Sequence, residues 1–119
     1  MEEDRGQILQ DKEIKKEIRK LKKMFEDVED ENRKKLVESL IEEAAFLKIA
    51  LIQAKDDLKN EGLTTVTENA SQKFVKAHPS CKIYSDYSKQ YTSIIKELIE
   101  YLPENKKKTV SKLAALRDE

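Results

Sequence analysis

The stretch from Gly62 to Pro79 constrains this chain most, because it is the one long interruption between two strongly helical segments. One of the chain's two glycines opens it and one of its two prolines closes it. Leu63 to Thr67 is rich in β-branched residues, and so is the shorter Phe74-Val75, with the turn formers Asn69 and Ser71 between them. That pattern predicts a small β-hairpin over about 63–76, inserted between helices. Gly62 suits the left-handed position just past a helix end, where a Schellman-type cap packs Leu63 back onto Leu58. Pro79 suits the first turn of the next helix, where a missing N–H costs nothing.

The helix before the hairpin is expected over 31–61. Leu36, Leu40, Ala44, Leu47, Leu51, Ala54 and Leu58 share one stripe, and Val37, Ile41, Ile49 and Ile52 widen it. Phe46 to Ile52 is too apolar for a helix with water on most sides, so it is expected to face more than one neighbour, including other copies of the chain. The helix after the hairpin is expected over 79–102, stopped by Pro103. Ile83, Tyr87, Tyr91, Ile94, Leu98 and Leu102 form its apolar stripe, with Ile95 and Ile99 beside it. Its tyrosines, Tyr84, Tyr87, Tyr91 and Tyr101, read as packing at the edge of a core.

Ahead of these, residues 1–10 are weakly patterned and read as a flexible N-terminus. A first helix is expected over 11–28, with Ile14, Ile18, Leu21, Phe25 and Val28 as a two-heptad seam. Lys12, Lys15, Lys16, Arg19, Lys20, Lys22 and Lys23 give it a basic surface, relieved by Glu13 and Glu17. Two readings of that surface stand, a solvated face and a phosphate-contacting one. The acidic run Glu26 to Glu31 disfavours a helix C-terminus. It therefore reads as the start of the second helix with Asp27 or Asp30 as N-cap, although no Gly or Pro forbids one continuous rod. Residues 104–119 read as a charged linker with a tail, in which Ser111 to Arg117 form a short helix or an unstructured end.

Length allows one domain, 11–103, plus these ends. With 40% charged residues, 38% hydrophobic and no Trp, the composition suits elongated, mainly α-helical structure. The formal net charge is zero, so any case for nucleic acid rests on local patches. The single cysteine, Cys81, points to a reducing compartment, and no apolar run reaches the roughly 20 residues of a membrane span. A soluble, intracellular protein is the expectation. No motif for catalysis stands out. Two glycines do not build a phosphate loop, and His78 before Pro79 reads as a helix cap. His78 and Cys81 are spaced like half a zinc site, with no second half. The residues therefore suggest no enzyme, cofactor or metal.

The segments Ala44-Ala45-Phe46-Leu47 to Leu58, Glu61-Gly62, Glu68-Asn69-Ala70-Ser71-Gln72-Lys73, His78-Pro79 and Tyr91 to Leu98 together resemble small terminase subunits of tailed bacteriophages. More narrowly, they resemble related small proteins of Gram-positive phages and prophages. The likeness covers about residues 30–103. It departs at Ala70, where the family commonly has Gly after the turn Asn69, and at the ending Tyr101-Leu102-Pro103. The resemblance implies a non-enzymatic, ring-forming homo-oligomer in the bacterial host cytoplasm. It would mark viral double-stranded DNA for packaging and work with a large terminase ATPase–nuclease. The rival reading is an oligomeric helical scaffold or adaptor that does not bind DNA. A small regulator comes third, lacking a clear helix-turn-helix.

Overall fold

The computed structural model describes residues 11–69, 72–104, 106 and 107. It is mainly helical: α1 (Asp11–Met24), α2 (Glu31–Glu61), β1 (Thr64–Asn69), β2 (Gln72–Ala77) and α3 (Pro79–Ile99). The expected N-terminus, the turn at Ala70-Ser71 and the tail beyond Lys107 lie outside the described residues.

Two helices form where one rod was also open, and the charge pattern explains why. The acidic run follows Met24, and α-helical bonding ends there. The chain continues through a turn in which Phe25 N–H donates to the Lys22 carbonyl and Val28 N–H to that of Phe25, each at 3.2 Å. α1 is therefore shorter than its apolar seam, because the chain must reverse before α2 while Phe25 and Val28 still reach the core. Asp30, not Asp27, is the N-cap of α2. Its carboxylate accepts from Asn32 N–H at 2.9 Å and Arg33 N–H at 3.2 Å, satisfying two donors that have no partner within the helix.

α1 folds back along α2, its Glu17 reaching Lys48 near the middle of that helix, and α3 returns antiparallel along α2. The core lies where all three meet: Leu21 and Phe25 from α1 and its turn, Val37, Ile41, Ala44 and Ala45 from α2, and Leu98 and Leu102 from the end of α3. This shifts the buried stripe of α2 from the expected one. Leu36, expected inside, is 46% exposed, while Val37 and Ile41 are almost fully enclosed. The reason is that two neighbours bury the helix from two directions. The sealed face in its first half points between them, not along the stripe of largest leucines. Toward the joint, α2 and α3 are the only helices among the described residues, and Ile83, expected in the α3 stripe, is 41% exposed.

The joint differs in detail from the expected cap. Gly62 N–H closes the last turn on the Leu58 carbonyl at 2.9 Å. Gly62 has φ 86 and ψ 175, which is extended glycine-only backbone and not the left-handed helical well. Leu63 consequently points away and stays exposed, so the packing onto Leu58 expected of a Schellman cap is not made. The hairpin is one residue further along than expected, with Asn69 ending β1 opposite Gln72. Pro79 occupies the first turn of α3 as expected. At the other end of α3, α-helical bonding stops at Ile99. Glu100, Tyr101 and Leu102 continue by donating three residues back, so Pro103 follows a tightened turn.

An added Cβ at Gly62 meets nothing within 4 Å, so the cost of Gly62→Ala is backbone torsion and not collision. We expect a loss of about 1–2 kcal/mol in urea unfolding. Unchanged or higher stability would show that the chain can leave α2 by another backbone route.

Candidate nucleic-acid interface

The site begins with how α1 is held. Leu21 and Phe25 are buried, and Ile14 and Ile18 pack half-buried against the core cluster. That orientation leaves Lys12, Lys16, Arg19 and Lys23 recurring at helical spacing on the opposite side, with Lys15, Lys20 and Lys22 flanking them. All seven are exposed. Among the described residues none of the seven takes part in an ion pair. The sequence-predicted basic residues are thus brought together on one face, over a helix length of about 20 Å.

One expected member of that face is elsewhere. Glu17 does not relieve the basic surface, because it turns inward and its Oε1 accepts from Lys48 Nζ of α2 at 3.2 Å. Both side chains are largely enclosed, at 11% and 24% exposure. The pair therefore costs desolvation and depends on both partners being present. Only Glu13 and Asp11 remain as exposed acids on the helix. Spacing alone hid this exchange: Glu17 lies beside Ile14, Ile18 and Leu21 on the wheel, but Lys48 is 31 residues away.

The lysines after Pro103 are differently placed. Lys106 pairs with Asp27 at 2.6 Å, and Lys107 sits 3.4 Å from Glu104 and 3.8 Å from Glu100. These cations tie the chain after α3 to the α1–α2 turn and to their own segment. Lys108 lies outside the described residues. Between that turn and the end of α3 opens a cleft of about 290 Å³, whose walls include Asp27, Glu29, Asp30, Glu100 and Arg33. Four carboxylates against one guanidinium disfavour a phosphate there.

The remaining chemistry-bearing residues gather at the joint. His78 caps α3 as expected: its Nδ1 accepts from Ser80 N–H at 3.0 Å. Nδ1 is therefore the bare nitrogen, and Nε2 faces Glu61 Oε2 at 3.4 Å. Ser80 Oγ donates to Asp57 at 3.3 Å, and Gln53 Nε2 donates to the same carboxylate at 3.2 Å. The Leu63 carbonyl accepts from His78 N–H at 2.8 Å and from Cys81 Sγ at 3.6 Å. Serine, histidine and aspartate are close together, but the hydroxyl faces the carboxylate and the imidazole holds a backbone amide. The geometry is that of a cap and a latch, without the base-to-nucleophile contact of covalent catalysis. Among the described residues no group of three or more His, Cys, Asp or Glu is placed to hold a metal. No described helix is long and apolar enough to cross a membrane.

Comparison with protein-family models, with characterised proteins and with solved structures gives no match for this chain.

Because Glu17 and Lys48 are enclosed together, removing one member strands the other. We expect Lys48→Met to destabilise more than the double change Glu17→Leu/Lys48→Met, by roughly 1 kcal/mol. Equal or additive losses in thermal unfolding would show that the pair does not hold α1 to α2.

Proposed function

We propose that this protein is an oligomeric, non-enzymatic DNA-binding adaptor, of the kind that works in phage DNA packaging beside a large ATPase–nuclease. The observation that carries the DNA reading is the face of α1: seven exposed cations without ion-pair partners among the described residues, on a helix whose other side is anchored to the core. Such a surface suits a phosphate backbone, since releasing condensed counterions drives binding wherever cations line up along a duplex. Phosphate contacts of this kind position a protein and carry little base discrimination. The packaging role rests on the resemblance of residues 30–103 to small terminase subunits.

Self-association has its own support. Phe46 is 39% exposed and Ile52 48%, in the α2 segment that is apolar around most of its circumference. Exposed large apolar groups on a structured helix suit a second protein surface. A scaffold that never binds DNA shares this feature, so the α1 face is what separates the two readings.

Replacing Lys16, Arg19, Lys20 and Lys23 by Gln should weaken duplex DNA binding to a similar extent across sequences. In fluorescence anisotropy the slope of log K against log salt should flatten by up to about 3–4, with helix content unchanged. The same change at Lys106, Lys107 and Lys108 should matter less, because Lys106 and Lys107 already face carboxylates. Loss of binding from the tail variant alone would move the DNA surface to the other end of the chain. No binding by the unaltered protein at low salt would favour the scaffold.

A further inference from the structure

The β-hairpin carries an inference independent of the DNA reading. It is a two-stranded sheet whose strand order is simply β1-β2, so among the described residues each strand has an outer edge without a sheet partner. Leu63, Val66, Phe74 and Val75 are 67%, 62%, 45% and 69% exposed. Among the described residues no core lies behind these side chains, and an isolated hairpin is marginally stable in water. Paired strands with this much exposed apolar surface gain from a further strand.

The two edges are not equivalent. β2 carries Lys73 and Lys76 within six residues, the usual protection of an edge against strand addition. Pairing β2 with its own copy gathers four such lysines in one seam. β1 reads Thr-Thr-Val-Thr-Glu-Asn, with no lysine, no proline and a single charge at Glu68. It is the unguarded edge.

The register then follows from backbone alternation. Leu63 is hydrogen-bonded across the hairpin to His78, one step beyond the pair Thr64 with Ala77. Antiparallel strands alternate bonded and unbonded pairs. Leu63, Thr65 and Thr67 therefore direct their amide groups toward β2, and Thr64, Val66 and Glu68 direct theirs outward. We propose that β1 pairs antiparallel with β1 of a second copy about a two-fold axis at Val66. Thr64 then lies opposite Glu68 of the copy and Val66 opposite Val66, so all three outward positions meet outward positions and exchange about six backbone hydrogen bonds.

Side-chain chemistry agrees with that register. Val66 is opposite Val75 within one hairpin, so the joined sheet carries a continuous row of four valines across one face. Cross-strand β-branched pairs of this kind stabilise a sheet. The two Glu68 positions fall at opposite ends of the seam, each paired with Thr64 of the other copy. Antiparallel pairing places the two helical bodies at opposite ends of the seam. The contact is isologous, so it joins subunits in pairs, and a larger closed assembly built on it holds an even number of copies.

The test is oxidative cross-linking in full-length protein without DNA, in a Cys81→Ser background. Val66→Cys places two thiols across the axis at a separation a disulfide spans, whereas Val75→Cys, equally exposed, places them about 14 Å apart. A covalent dimer forming roughly ten-fold faster from Val66→Cys than from Val75→Cys, with even copy numbers in native mass spectrometry of the unaltered protein, is the expected result. A bridge from Val75→Cys at the same rate, an assembly that forms without bridging Val66→Cys, or a monomer at about tens of micromolar would overturn it.

Discussion

Everything in this structure depends on the two adjacent alanines, Ala44 and Ala45, at the point where three helices meet. Both are completely enclosed. Small side chains at successive positions on α2 face two directions, so α1 and α3 both approach closely without competing for the same groove. Ile41, Val37 and Leu98 fill the space between, with Leu21, Phe25 and Leu102 closing its rim. From this meeting point the other placements follow. α1 has its apolar seam fixed against α2, which turns its cations outward. α3 has its far end fixed, which carries its first turn and the hairpin to the opposite end of a helix about 46 Å long.

The elements were largely legible because their signals are local. Helical periodicity, the Gly62 and Pro79 boundaries and the β-branched runs each act within a few residues, and the structure has a helix, a hairpin and a helix where those signals stand. The acidic run after Met24 separated α1 from α2 through the same local electrostatics. What the sequence hid was direction. Leu36 looks like part of the core stripe but is exposed, while Leu40 packs only at the core's edge. Which face is sealed is set by where α1 and α3 lie, and that information is spread over the whole chain. Glu17 looked like a surface acid for the same reason, since its partner Lys48 is on another element. The polar latch of Asp57, Glu61, His78 and Ser80 was visible only as a capping histidine. Its other links exist because the hairpin returns the chain to the end of α2.

These hidden pairings bear on the candidate site. A chain with zero formal net charge has no long-range bias toward an anion, and only segregation of its charges creates a local field. The structure segregates them in two ways. Glu17 is withdrawn from the face of α1 and neutralised by Lys48, while Lys106 is withdrawn from the tail by Asp27. The α1 face is thereby more basic than its sequence, and the segment after α3 less so. Because both exchanges use partners on other elements, the local charge depends on the tertiary fold, and unfolding the chain would disperse it.

The two ends of the molecule are built on opposite principles. At the three-helix end, apolar contacts are dense, with the enclosed Glu17–Lys48 pair beside them. At the joint, hydrogen bonds dominate: Ser80 Oγ donates to Asp57 across the two helices, the Ser80 amide donates to His78 within the cap, and Cys81 and the His78 amide donate to the Leu63 carbonyl, with Glu61 3.4 Å from His78 Nε2. Such bonds are directional, so they fix the angle at which the hairpin leaves α2 although the hairpin itself packs on almost nothing. Gly62 makes the same demand, since its φ of 86 is a conformation that side chains rarely adopt. A structure that holds an exposed two-stranded sheet by directional bonds and a glycine-only backbone step keeps its unguarded edge in one orientation. Orientation is what an edge needs in order to pair, because a mobile strand must lose its freedom at the moment of contact.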